Sequence, residues 1–277
     1  MVRELSFHGV VRWLYIRLVR SWVHRPLWQQ RIKLIWFGWG YWPLFSIRTL
    51  SLRNRFMILR SFLRVDWAVE HCHTPFEVAI LVRELAQRRA RAGECFVEAG
   101  CWRGGSTAKI SLVCRLLGYQ LHVYDSFEGV ERVADEPETL DFAGQYACQL
   151  ADVRHNVNRY GCLELCEFHK GWFSKTFQRT QSRSPIRGVF IDCDLAKGTH
   201  EVLGGVLSLL ADDGFVFSQD YHLVPVRRLL ASPDTWRSLG VPAPCITVLD
   251  RRLVLLRFNS DGHKMLAVPG TQSYGHA

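Results

Sequence analysis

The stretch "CFVEAGCWRGGST", Cys95 to Thr107, decides the fold. Its first five residues are apolar except for Glu98, and a short run of that kind reads as a strand buried on both faces. Gly100, Gly104 and Gly105 then turn the chain, and a helix is expected over 105–117. Strand, glycine turn and helix in that order open a parallel α/β sheet. The alternation continues outward. Strands are expected at "LHVYD", ending in Asp125, at "LELCEFH", ending near Lys170, and at "GVFIDCD" and "GFVFSQD". Helices are expected over 146–159 and 197–211. "CITVLD" and "RLVLLRF", joined by very few residues, read as a closing hairpin. Upstream, Thr74 and Glu77 have capping-box spacing and Pro75 falls at the first helical position. That predicts a helix from Pro75 to about Ala90. The expected architecture is α/β: a mostly parallel seven-stranded sheet, helices on both faces and a C-terminal antiparallel hairpin.

The flanking sequence differs in composition. Of 277 residues, 48 % are hydrophobic and 22 % charged, a globular balance, but the net charge is +9. Residues 1–60 hold eleven Lys/Arg, a single acid (Glu4) and six of the ten tryptophans. The rest is close to neutral, with 24 basic and 25 acidic groups. Three units are therefore expected: a basic, aromatic, helical N-terminal arm over 1–72, the α/β domain over 73–262 and a flexible tail over 263–277. Within the arm, apolar residues recur at helical spacing between 10 and 23, with Arg12, Arg17 and Arg20 among them. Such a face suits the α/β domain itself or a second copy of the chain in a homo-oligomer. It equally suits an anionic membrane surface. Nucleic acid is disfavoured, because phosphate contacts do not require six tryptophans. "LIWFGWGYWPLF", Leu34 to Phe45, has twelve residues where a spanning helix needs about 20. No secretory signal is visible. Nine cysteines, an odd number with no CxxC pair, read as free, buried thiols of a reducing compartment. A cytoplasmic protein, soluble or peripheral on the membrane, is expected.

Chemistry is expected at the carboxyl ends of the strands, where open α/β sheets bind ligands. The opening turn is GxxxGG, not the GxGxxG of dinucleotide folds, and an acid stands two residues before the first glycine. Glu98 would repel a pyrophosphate and attract an ammonium group. A ligand with an amino-acid end, an adenosine and no phosphate is S-adenosylmethionine. Gly100 suits a conformation that glycine alone holds cheaply. Asp125 ends strand two, a position from which an acid accepts from ribose hydroxyls. Ser106, Ser126, Phe127 and, after strand three, Trp172 of "KGWF" complete the candidate cofactor set with Glu98, Gly100, Gly104, Gly105 and Asp125. The aromatics of "KGWF" either flank the adenine or belong to the core.

Strand four ends in "FIDCDLAKGTH", which puts Asp192 and Asp194 on one side of an extended strand end. Strand five ends in "FSQDYH", with Gln219, Asp220 and His222. If these strands are neighbours, the groups converge on one pocket. Asp192, Asp220 and the amide of Gln219 are hard oxygen ligands suited to Mg²⁺. Such an ion lowers the pKa of a substrate hydroxyl, and Asp194 or His222 takes the proton. His155, His169 and His200 read as local hydrogen-bonding residues.

"FVEAGCWRGGS", "YDSFEGV", "KGWF", "FIDCDL" and "GFVFSQDYH" resemble, in order and spacing, the macrocin O-methyltransferase (TylF-type) family. The resemblance runs from about Thr74 to Arg257. It implies a Rossmann-like class I methyltransferase fold and S-adenosylmethionine as cofactor. Characterised members methylate sugar hydroxyls of natural products with the help of Mg²⁺. Carried over, Glu98 and the glycines meet the methionine part and Asp125 the ribose. Asp192 and Asp220 become metal ligands and Asp194 the general base. The sequence departs in two places. Gln219 stands where the family's first acid of a "DDY" end is expected, leaving a metal site one negative charge short. Ala196 replaces a tyrosine. The expectation is an O-methyltransferase acting on a hydroxyl of a small-molecule or glycan-like natural product. Gln219 and the arm motivate one rival, a metal-independent methyltransferase on another acceptor, for example a lipid-linked one; a second rival is a non-catalytic membrane-associated protein that keeps the fold.

Overall fold

A computed structural model of the chain describes residues 39–133, 143–179 and 184–258. The expectations for the arm before residue 39, for most of the acidic loop 131–142 and for the tail lie outside the described residues.

Seven strands form one sheet: β1 (Cys95–Ala99), β2 (Gln120–Asp125), β3 (Cys166–Lys170), β4 (Ile186–Ile191), β5 (Leu210–Ser218), β6 (Cys245–Val248) and β7 (Val254–Arg257). Their order is β3-β2-β1-β4-β5-β7-β6. The first five are parallel. β7 runs antiparallel to both β5 and β6, as the hairpin reading requires. The direction of sheet growth reverses between β1 and β4, which opens a crevice at their carboxyl ends.

The helices are α1 (Leu52–Ala68), α2 (Pro75–Leu85), α3 (Gly105–Leu117), α4 (Leu150–Tyr160), α5 (Phe173–Arg179), α6 (Ala196–Val206), α7 (Val224–Ala231) and α8 (Pro233–Ser238). Alternation along each strand divides the apolar side chains between two cores. Phe96, Val123, Phe190 and Phe217 pack with α1 to α4 through Phe62, Leu81, Val113 and Val153. Val97, Tyr124, Val189 and Val216 pack with Val202 and Leu203 of α6, Val226 of α7 and Trp236 of α8. Each large side chain so buried contributes about 1.5–3 kcal/mol. Tyr41, Leu44, Ile58, Phe62 and Val65 belong to the first core, so the described end of the arm lies on the body. All nine cysteines are free, four of them buried and Cys72 exposed.

The capping box before α2 is present: Thr74 N donates to Glu77 Oε2 at 2.7 Å, and Glu77 N donates to Thr74 Oγ1 at 3.2 Å. Boundaries moved elsewhere. α2 stops at Leu85, five residues short of the expected end. α4 begins at Leu150, not 146, because Gly144 and Tyr146 hold positive φ and cannot belong to a right-handed helix. Leu163–Leu165 form a 3₁₀ turn before β3. α6 ends at Val206, and the chain passes through Leu207–Leu209 into a β5 that starts early, at Leu210.

Candidate active site

Sheet hydrogen bonding continues one residue past the strands. Gly100 N donates to Tyr124 O, Asp192 N to Ala99 O and Gln219 N to Ile191 O, each at 2.9 Å. Gly171 N donates to Asp125 O at 3.0 Å. Asp125, Gly100, Asp192 and Gln219 therefore stand in one row across β2, β1, β4 and β5, at the mouth of the crevice.

The glycine turn is shaped by the protein around it. Gly100 has φ +89°, and a Cβ there would come 1.8 Å from the carbonyl oxygen of Asp192. No other residue fits that approach. Gly104 (φ +79°) seats α3 on Val153, and Gly105 sits against His71. Asp125 grips the turn: Cys101 N and Trp102 N donate to its Oδ2 at 2.7 and 3.3 Å, and Phe127 N donates to Oδ1 at 2.7 Å. Trp102, Phe127 and Asp194 hold positive φ (44°, 59° and 62°) at the exits of β1, β2 and β4. Each such residue costs about 1–3 kcal/mol, and strain of this kind gathers at functional sites.

Glu98 is fully buried beneath the turn. Thr107 Oγ1 donates to its Oε2 at 2.6 Å, while Oε1 has no hydrogen-bond partner. Burial pushes its pKa up to about 8, against the hydroxyls of Ser106 and Thr107, with repulsion from Asp192 and Asp125 added. Across the crevice lie three more acids. Cys193 N and Asp194 N donate to Asp220 Oδ2 at 2.9 and 2.8 Å, and Asp220 Oδ1 is buried without a partner. Burial raises the pKa of Asp192, Asp194 and Asp220 alike, and repulsion adds to it, from Asp125 at Asp192, from Asp220 and Asp192 at Asp194, and from Asp192 at Asp220.

The structure thus brings Glu98, Asp192, Asp194 and Asp220 into one electrostatic unit. Other candidates have different places. Phe127 is 3 % exposed, with its ring in the first core near Phe168. Ser126 Oγ donates to Gly129 O at 2.9 Å and builds the turn after β2. The Trp172 carbonyl accepts from Lys175 N and Thr176 N at 2.9 and 3.0 Å at the head of α5. His222 is half-buried two residues beyond Asp220. Gln219 is fully buried: its Nε2 donates to Glu77 Oε2 at 3.3 Å, and its Oε1 has no partner. An aspartate there would face the Glu77 carboxylate.

The donor chemistry of Asp192, Gln219 and Asp220 fits a hard divalent cation, since Gln219 and Asp220 each offer a buried, unpartnered oxygen. Among the described residues, however, the acids at this end do not gather three ligand atoms within 4.8 Å of one another.

Sequence reasoning missed several residues. His73 Nε2 lies 3.0 Å from Asp192 Oδ2, out of line for a hydrogen bond. Burial pushes the His73 pKa down to about 3, so it is neutral there. Arg252, before β7, donates from Nη1 to Cys72 O at 3.2 Å. Although burial lowers the Arg252 pKa, Glu77, Asp192 and Asp220 more than compensate and raise it. A further network ties α1 to α3. Lys109 pairs with Asp66, Tyr41 OH donates to Asp66 Oδ2 at 2.7 Å, and His71 Nε2 lies 2.8 Å from Asp66 Oδ1. The only local signal for any of these was the position of His73 just before the capping box.

A family model described as macrocin-O-methyltransferase (TylF) matches residues 84–257. The chain belongs to this family. It is 33 % identical over 138 residues to the 8-demethyl-8-(2,3-dimethoxy-alpha-L-rhamnosyl)-tetracenomycin-C 4'-O-methyltransferase of Streptomyces olivaceus. That match covers 46 % of this chain and 52 % of the relative, so the TylF chain spans about half the length of the curated protein it matches. Among solved structures it is similar to the O-methyltransferase NovP (24 % identity, TM-score 0.53, 60 % of this chain and 72 % of that one). It is also similar to the calicheamicin methyltransferase CalS11 (16 % identity, TM-score 0.53, 86 % and 95 %). These likenesses show the fold, the Rossmann-like class I methyltransferase sheet. Within it, this chain carries Glu98 in β1, Asp125 at the end of β2, Asp192 after β4 and Gln219 after β5.

Proposed function

We propose that this chain transfers a methyl group from S-adenosylmethionine to a sugar hydroxyl of a glycosylated natural product. The observation that carries the reading is Glu98: a fully buried carboxylate beneath the glycine turn, with one oxygen left without a partner. An ammonium group at that oxygen would supply the missing donor and the opposite charge. Family membership and the relative named for a rhamnosyl 4'-O-methylation support a deoxysugar hydroxyl as acceptor.

The acceptor oxygen attacks the sulfonium methyl, the carbon–sulfur bond breaks and S-adenosylhomocysteine leaves. Alignment of the two reactants supplies much of the rate. The proton of the hydroxyl goes to Asp194, with His222 two residues beyond Asp220 as the alternative. A base works in its unprotonated form, so the raised pKa of Asp194 makes turnover increase with pH across its titration. Magnesium would be held by Asp192, Asp220 and the Gln219 amide oxygen, and would acidify the acceptor hydroxyl there.

The test is calorimetric titration with S-adenosylhomocysteine, for the wild type and for Glu98→Gln. Micromolar binding that weakens about tenfold in the variant is expected, the size of one charge-assisted hydrogen bond. Absence of binding by folded wild type would overturn the reading. Glycosylated aromatic polyketides, with and without Mg²⁺, are then the acceptors to screen.

A second reading concerns the outer face of residues 39–57. Trp39 is 75 % exposed and Leu52 62 %, and Trp42, Phe56 and Met57 are exposed beside Arg48, Arg53 and Arg60. Aromatic and cationic groups together suit an anionic membrane surface. Co-sedimentation with phosphatidylserine vesicles should fall in a Trp42→Ser/Phe56→Ser variant. Equal sedimentation, or a dimer that the same changes dissolve, would remove the membrane reading.

A further inference from the structure

Away from the crevice, the edge of the sheet carries a second group of chemically able side chains. Among the described residues, β3 is the edge strand and pairs only with β2. The register sets His122 opposite Glu167 and Tyr124 opposite His169, so all four side chains share one face. By alternation that face is opposite the one Asp125 uses. His122 Nδ1 and His169 Nε2 share a hydrogen bond of 3.0 Å, with the two rings near parallel and their centroids 5.3 Å apart. Glu167 reaches both rings, its Oε2 at 3.6 Å from His122 Nδ1 and its Oε1 at 3.6 Å from His169 Nε2. Ligand atoms at the corners of a zinc tetrahedron, each about 2.1 Å from the ion, stand about 3.4 Å apart. The two nitrogens stand inside that value and each carboxylate oxygen just outside it, so an ion would take the place of the proton the imidazoles share.

We infer that His122, Glu167 and His169 form a binding site for a borderline divalent cation of the zinc class. Two imidazoles and one carboxylate favour such an ion over magnesium. The rings are held in place: Tyr124 stacks on His169 at 4.2 Å and Phe177 on Tyr124 at 4.2 Å. Glu167 is exposed, so the ion can enter from solvent and water can complete its shell. A bound ion would clip the edge strand to its neighbour and raise thermal stability by linkage.

The test is calorimetric titration of the full chain with ZnCl₂ at neutral pH in excess Mg²⁺, added to compete for the hard-oxygen groups of the crevice. Micromolar or tighter binding of a single ion is expected, with at least about tenfold weakening in Glu167→Gln and more in His169→Gln. Glu167→Gln alters an exposed side chain and keeps the test valid if His169→Gln misfolds. Co²⁺ in place of Zn²⁺ should show no thiolate charge-transfer band. No binding, equal affinity in the Glu167 variant, or a thiolate band revealing capture by cysteine would each overturn the proposal.

Discussion

Two buried polar clusters lie within a few residues of the glycine turn, and they are built on opposite plans. The network of Tyr41, Asp66, His71 and Lys109 is matched. Burial alone would raise the Asp66 pKa, but Lys109 and His71 overcome it and hold it at about 2. The cluster of Glu98, Asp192, Asp194 and Asp220 is unmatched: two buried and two half-buried acids, unpartnered oxygens on Glu98 and Asp220, and Arg252 as the nearby cation. A matched network belongs to the fold. An unmatched one is tolerated where a ligand supplies the missing donors and charge.

If this contrast is right, substitutions in the two clusters have different consequences. The largest effect is expected from Asp192→Ala and Asp220→Ala. Each should lower methyl transfer at least about a thousandfold, roughly 4 kcal/mol in the barrier, while S-adenosylhomocysteine still binds. Retained turnover, unaffected by EDTA, would place the chemistry elsewhere. Next comes Lys109→Met, which strands Asp66 as an uncompensated buried charge. Denaturant unfolding should register a loss of about 3–5 kcal/mol. A loss below 1 kcal/mol would show that the network is not structural.

The two clusters should also respond to pH in opposite directions. Asp66 titrates lower in the folded chain than its ordinary 3.8. Its stabilisation is present above 3.8 and disappears as pH falls toward 2. Glu98 titrates higher than its ordinary 4.5, at about 8. Its stabilisation is present below 4.5 and disappears as pH rises through 8. Thermal melts of the ligand-free chain should therefore decline toward alkaline pH, by a few kcal/mol at most, and Glu98→Gln should flatten the decline. An unchanged slope in that variant would mean that Glu98 is charged in the free protein. The smallest effect is expected from Gln219→Asp. It should tighten Mg²⁺ binding and cost about 1 kcal/mol of stability through repulsion with Glu77. Unchanged affinity would separate Gln219 from the metal.

The matched cluster was illegible in the sequence and the unmatched one largely legible, for a physical reason. Glu98, Asp125, Asp192 and Asp220 sit at strand ends that a sheet must bring together, so local patterning places them. Asp66 and Lys109 lie 43 residues apart on separate helices, and only tertiary packing pairs them. The strands were readable because both of their faces are buried, which writes largely apolar runs into β1, β4 and the second half of β5, residues 214–218. Helix ends were less readable. Nothing in "GQYACQL" announces that Tyr146 adopts positive φ and delays α4. His122 and His169 stand in strands of ordinary composition, and their meeting depends on the register of β2 against β3.

Asp125 has a kinetic consequence. Its carboxylate already holds three backbone amides of the two turns that flank the crevice mouth. The walls are therefore set before any ligand arrives, and little ordering entropy remains to be lost at encounter. Cofactor analogues that differ in affinity should enter this mouth at similar speeds and differ in how long they stay.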